Sequence, residues 1–107
     1  NMCSPGTDIV YQGKIDPRHC INSSSSTFAW DEWVKAELIV FGDSIVHHLV
    51  NGDTVLTYSF PQIGGGVANR YNSSLKVDGT PLRSGYIGLQ SEGQGVLFRN
   101  LKIRELK

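Results

Sequence analysis

Five polar side chains stand on otherwise apolar stretches of this chain and have the types that chemistry needs: His48, Tyr58, Gln90, Glu92 and Arg99. Gln90 and Glu92 are two residues apart, so on a strand they project from one face. An amide beside a carboxylate is suited to hydrogen-bonding sugar hydroxyls, and a carboxylate with a histidine is suited to general acid–base work. The alternative is a solvated turn in which Glu92 pairs with Arg99. Trp30 and Trp33 flank Asp31-Glu32. An exposed indole offers a stacking platform for a sugar ring. Trp33, at a strand start, is expected in the core, and Trp30 is open to either role.

Other chemistries lack their signatures. Gly64-Gly65-Gly66 is not followed by the Lys-Ser/Thr of a phosphate loop. No serine lies in a Gly-x-Ser-x-Gly elbow. His47 and His48 are neighbours, so on a strand they diverge and do not share one ion. Cys3, His19 and Cys20 lack the paired spacing of a zinc site. The expectation is therefore no metal and no cofactor.

Bulk properties narrow the partners. Ten basic and ten acidic residues cancel to a net charge of zero. That balance gives no electrostatic reason to expect nucleic acid or an anionic surface as partner. No apolar run approaches the roughly 20 residues of a spanning helix. Cys3 and Cys20 are expected to form a disulfide, which stabilises a chain by about 3 kcal/mol for a loop of this size, the alternative being two unpaired thiols in a reducing compartment. With the sequons Asn22-Ser-Ser and Asn72-Ser-Ser, the bridge fits an exported protein.

The elements that must position these residues read as strands. Twelve glycines punctuate short aromatic and β-branched runs, which is an all-β texture within one domain, residues 1–107. Residues 1–27 read as a loop-rich segment tied by the bridge, with a short strand at Ile9-Val10-Tyr11. Residues 28–107 hold the main strands. Val34, Ala36, Leu38 and Val40 form one apolar face, with Trp33, Lys35, Glu37, Ile39 and Phe41 on the other. Asn51-Gly52 between Ile45–Val50 and Thr54–Phe60 predicts a two-residue hairpin turn. In a regular hairpin Val50 then faces Asp53, His48 faces Val55 and His47 faces Leu56. Phe60-Pro61-Gln62-Ile63-Gly64-Gly65-Gly66 is expected to end the strand, since proline cannot donate to a ladder and three glycines follow. Residues 64–84 read as a long connection, either a rim or lid or a disordered stretch.

The C-terminal third, Gly85 to Leu106, reads as two strands. Ile87 and Leu89 alternate in the first, Leu101 and Ile103 in the second, and Glu92-Gly93-Gln94-Gly95 makes the turn. Val96 and Phe98 have the opposite parity to Leu101 and Ile103. Either a bulge near Arg99-Asn100 reconciles them or the strand is buried on both sides.

Trp33-Val-x-Ala-Glu37, Gly42-Asp-Ser-Ile45, His48-x-Val-Asn-Gly52, Val55-x-x-Tyr58 and Pro61-Gln-Ile-Gly-Gly-Gly66 together resemble the 3-keto-disaccharide hydrolase family. Gly85-Tyr-Ile-x-Leu-Gln-Ser-Glu92 and Phe98-Arg99 resemble its closing hairpin. Cys3-x-Pro-Gly-Thr7 and His19-Cys20-x-Asn-Ser23 resemble a secreted subset. The resemblance implies an antiparallel β-sandwich of concanavalin-A-like jelly-roll type. It also implies a secreted or periplasmic bacterial protein that cleaves 3-keto-glycosides. His48 and Glu92 become the candidates for proton transfer, and Gln90, Tyr58, Arg99 and Trp30 those for carbohydrate contact. Members of that family are roughly twice this length, the size of a full two-sheet sandwich. The chain resembles the back half. Three arrangements are open: a piece of a longer domain, strands supplied by a partner chain, or a reduced sandwich. Two readings outside catalysis also stand, a carbohydrate-binding module and a structural domain.

Overall fold

The computed structural model describes residues 2–65 and 70–107. The described residues form seven strands and no helix: β1 (Met2–Cys3), β2 (Thr7–Tyr11), β3 (Lys14–Asp16), β4 (Cys20–Ile21), β5 (Ala36–Phe41), β6 (Ile45–Val50) and β7 (Asp53–Ile63). Five of them make one antiparallel sheet in the order β3-β2-β7-β6-β5, and β1 pairs with β4 in a separate two-stranded ladder. The fold is all-β, a partial β-sandwich. The N-terminal segment is more regular than its sequence suggests, with four short strands where one was expected.

The sheet forms where the residue pattern demands it. Along β5, Leu38 and Val40 alternate with Glu37 and Ile39, and Lys35 pairs with Glu37 at 3.0 Å on the polar side. The β6–β7 turn takes the geometry that Asn-Gly favours, with positive φ at both Asn51 (50°) and Gly52 (95°). Asn51 also ties the turn to Lys35, at the entry to β5. Its side-chain oxygen accepts the Lys35 N–H at 3.0 Å, and its own N–H donates to the Lys35 carbonyl at 2.8 Å.

Two bulges depart from the regular pattern. In β6–β7, Leu49 faces Thr54 but His48 faces Leu56, so Val55 is the extra residue. The predicted His48–Val55 and His47–Leu56 pairs are therefore replaced by His48–Leu56 and His47–Thr57. The carbonyl of Val55 instead accepts hydrogen bonds from Ser24, from its N–H at 2.9 Å and its hydroxyl at 3.1 Å. The second bulge lies between β2 and β7, where Asp8 faces Gln62 and Val10 faces Ser59. Phe60 takes a positive φ of 49° there, just before Pro61. The strand ends within the expected stretch 60–66, at Ile63 before the glycines, but Pro61 does not itself stop it. Pro61 lies beside a bulge, where its missing N–H breaks no regular ladder bond.

The core is small. Met2 and Ile21, paired across β1–β4, pack on Ile9 and Leu56 of the large sheet, with Tyr11 and Tyr58 at the margin. Gly64 passes β2 so closely that a Cβ there would overlap the Asp8 carboxylate. Beyond β7, residues 79–82 run alongside it, through Gly79 N–H to Ile63 O (2.8 Å), Ile63 N–H to Thr80 O (2.8 Å) and Leu82 N–H to Pro61 O (2.9 Å). Residues 66–69 of the expected 64–84 connection lie outside the described residues.

The expected C-terminal hairpin does not form. Residues 85–107 contain no strand, and Ile87, Leu89, Leu101 and Ile103 are all exposed. The turn signal itself is realised, since Gly93 has a positive φ of 77°, and Asn100 at 57° breaks the backbone where the parity changes. What is absent from this segment is a ladder partner. An isolated hairpin is marginal without a third strand or a covered apolar face, and alternation alone does not supply one.

Candidate functional site

Val55's bulge decides which side chains share a face. Directly paired residues point the same way, so Leu38, Val40, Val46, His48 and Leu56 lie together on the face that carries the core. Tyr58, paired with Val46, joins them. His48 Nε2 and Tyr58 Oη are 3.2 Å apart, and their rings are 5.5 Å apart at 45°. In the unbulged register Val55, an odd number of residues from Tyr58, would have shared His48's face, and Tyr58 would have pointed away.

Both members of this pair are half-buried, and burial shifts both toward their neutral forms. It lowers the His48 imidazole below its ordinary value of 6.5 and raises the Tyr58 phenol above 10.0. At neutral pH the pair is therefore an uncharged imidazole beside a phenol that keeps its proton. When Nε2–H donates to Tyr58 Oη, the Nδ1 lone pair is the basic site of the ring. The face around it is open toward β5, where Leu38 and Val40 are each 44% exposed.

His47 occupies the opposite face. Its Nδ1 lies 2.8 Å from the Thr57 hydroxyl, and its ring meets Phe41 edge-on at 6.1 Å. The two histidines diverge, as adjacent strand residues must.

The other sequence candidates lie on segments without strands. Gln90 and Glu92 are exposed, and no described hydrogen bond or ion pair joins either to His48. Arg99 stacks its guanidinium 3.8 Å from the centre of the Trp33 ring rather than pairing with Glu92. Trp33 is 51% exposed, so the expectation of a core plug fails: this strand starts at Ala36, beyond it. Trp30 is 97% exposed. The Cys3–Cys20 disulfide is present and crosses the β1–β4 ladder. A shallow hollow of about 340 Å³ between Gly6, Ile63, Tyr71, Asn72, Leu75 and Lys76 contains neither His48 nor Tyr58.

His48 and Tyr58 each stand out in the sequence as polar residues, but nothing local in it signals their contact. Ser24, whose two hydrogen bonds to the Val55 carbonyl hold the bulge, is equally unmarked. No local signal marks that role, because the bond spans 31 residues.

Comparison with known proteins adds one finding. Residues 6–104 match the 3-keto-alpha-glucoside-1,2-lyase-like domain. No curated protein and no solved structure matches the chain. The match spans nearly the whole sequence, and the chain belongs to this domain family.

Proposed function

We propose that this lyase-like domain acts on 3-keto-glycosides by removing the proton at C2, with His48 as the base. The observation that carries the reading is the His48–Tyr58 hydrogen bond of 3.2 Å on the open face of the sheet. The family match supports the substrate class. A ketone at C3 acidifies the C2 proton. His48 Nδ1 takes that proton, the C2–H electron pair becomes a C1=C2 double bond, and the C1–O bond breaks with its pair leaving on the aglycone oxygen. The imidazolium so formed donates a strengthened hydrogen bond through Nε2–H to Tyr58 Oη. A neutral imidazole is the form this step requires, and burial favours it at neutral pH. Water adding to the double bond would complete a hydrolysis.

In the same reading Gln90, Arg99 and Trp30 contact the sugar, with Tyr58 as a further substrate contact. Glu92 is the second candidate for proton transfer. Export to the periplasm or beyond fits the disulfide, which persists in oxidising compartments. No helix among the described residues is long and apolar enough to cross a membrane. Strands from a front half or a partner chain would cover the exposed apolar residues of the C-terminal segment.

Aglycone release from a chromogenic 3-keto-glucoside tests the proposal. Wild type should release the aglycone, His48→Gln should lose at least about 100-fold in rate, and Glu92→Gln shows whether the carboxylate shares the step. No release by the wild-type protein overturns the catalytic reading. The exposure of Trp30 favours a second one, a carbohydrate-binding module. Retention on immobilised keto-sugar without turnover, lost in Trp30→Ala, would support that instead.

A further inference from the structure

The fold brings Cys3 to the neighbouring pair His19 and Cys20, from which 16 or more positions separate it in the sequence. Cys3 lies on β1 and Cys20 on β4, and the antiparallel register sets them directly opposite each other, with Cα atoms 4.1 Å apart. His19 precedes β4 in a bend, so the strand alternation that would turn it away from Cys20 does not apply. Its carbonyl accepts the Ser4 N–H at 2.7 Å, which pins the bend. The imidazole Nε2 lies 3.5 Å from Cys20 Sγ, and one ligand atom from each of the three residues lies within 4.8 Å of the others. A tetrahedral zinc with sulfur ligands at about 2.3 Å and nitrogen at about 2.0 Å separates its donors by roughly 3.5–3.8 Å. Side-chain rotation is enough to reach that spacing once the two sulfurs are no longer bonded.

We propose that the Cys3–Cys20 bridge, when reduced, becomes with His19 a binding site for a thiophilic d10 cation such as zinc(II). The spacing along the chain argued against zinc, but the ladder rather than the spacing brings the donors together. Two molecules of an external thiol supply the reduction. The first attacks Cys3 Sγ, the disulfide breaks, and the electron pair passes to Cys20 Sγ. The second thiol then displaces Cys3 from the mixed disulfide. The thiols leave as their own disulfide, and Cys3 and Cys20 together gain two electrons and two protons. Binding of zinc(II) by both sulfurs expels those two protons, and His19 supplies a nitrogen, leaving a fourth position to water.

Two features make the reduced ladder a site rather than two loose thiols. Cys3 and His19 are exposed, so a small thiol and a cation reach them. Met2 and Ile21, the neighbouring pair in the same ladder, are buried in the core, so packing as well as the bridge holds β1 against β4.

The test is zinc titration of the whole chain against a chromophoric chelator, in the oxidised form and after phosphine reduction and anaerobic desalting. The reduced chain should bind one zinc, and the oxidised chain none. Cys3→Ser should abolish binding. His19→Ala should weaken it by at least about 100-fold, beyond the roughly 10–100-fold typical of losing an outer partner, while His47→Ala leaves it unchanged. Circular dichroism on the same samples reports folding, and zinc should restore native dichroism where reduction has weakened it. Equal binding by both redox forms, binding indifferent to His19→Ala, or zinc taken up without native dichroism would overturn the proposal.

Discussion

His48 and Tyr58 meet at 3.2 Å because the β6–β7 ladder slips by one residue at Val55. One inserted residue moves the β7 side chains that follow it, as far as the second bulge at Phe60–Pro61, to the other face. The slip thus turns two unrelated strand positions into a hydrogen-bonded imidazole–phenol pair.

The pair sets a pH dependence of stability. Burial holds the folded His48 below its ordinary value of 6.5, so between these two values the unfolded chain binds the extra proton and the folded chain does not. Stability therefore falls as pH drops below about 6.5 and levels once the folded imidazole itself is protonated. Urea midpoints measured from pH 8 to pH 4 should show this loss in the wild type and a smaller one in His48→Gln. An identical pH profile for the two proteins would remove His48 as its source.

Ser24 holds the bulge at a distance. Ser24→Ala removes the hydroxyl bond to Val55 O and keeps the backbone one. The expected cost is about 1 kcal/mol in denaturant unfolding. His48 chemical shifts in the same variant report whether the register is retained.

Asn51 serves both the turn and β5. Asn51→Ala places alanine at a positive φ and strips the Lys35 N–H of its acceptor, so a loss of about 1–2 kcal/mol is expected. Asn51→Gly, which relieves the strain and loses only the hydrogen bond, should cost less. Thermal melts of the two variants distinguish the contributions.

Gly64→Ala tests the close approach to Asp8. The new methyl would overlap the carboxylate and its stem, not just the tip of a flexible side chain. A destabilisation of about 1–3 kcal/mol is expected. Adding Asp8→Gly to that variant should recover part of it, and the double-mutant cycle measures the recovery.

Local chemistry made much of this legible in the sequence. The Asn51-Gly52 turn, the two faces of β5 and the Cys3–Cys20 bridge follow from residue type and spacing. The bulges did not, because each depends on a distant partner: Ser24 for Val55, and the register against β2 for the Phe60–Pro61 kink. The C-terminal segment has the alternation of two strands but forms neither, since alternation states which residues would share a face and not whether a neighbouring strand is there. Trp33 fell outside the core for a related reason: its strand begins three residues later, and Arg99 covers its ring. His48 and Tyr58 were each visible as polar residues among apolar ones, but their contact depends on a register that pattern does not specify.

Removal of the C2 proton of a 3-keto-glycoside by His48 is the step on which the proposed function rests. Its most direct test is the rate of aglycone release from a 3-keto-glucoside carrying hydrogen or deuterium at C2, in wild type and His48→Gln. The wild type should release the aglycone more slowly from the deuterated substrate, and the variant should lose at least about 100-fold. Equal rates for both isotopes together with undiminished release by His48→Gln would contradict it.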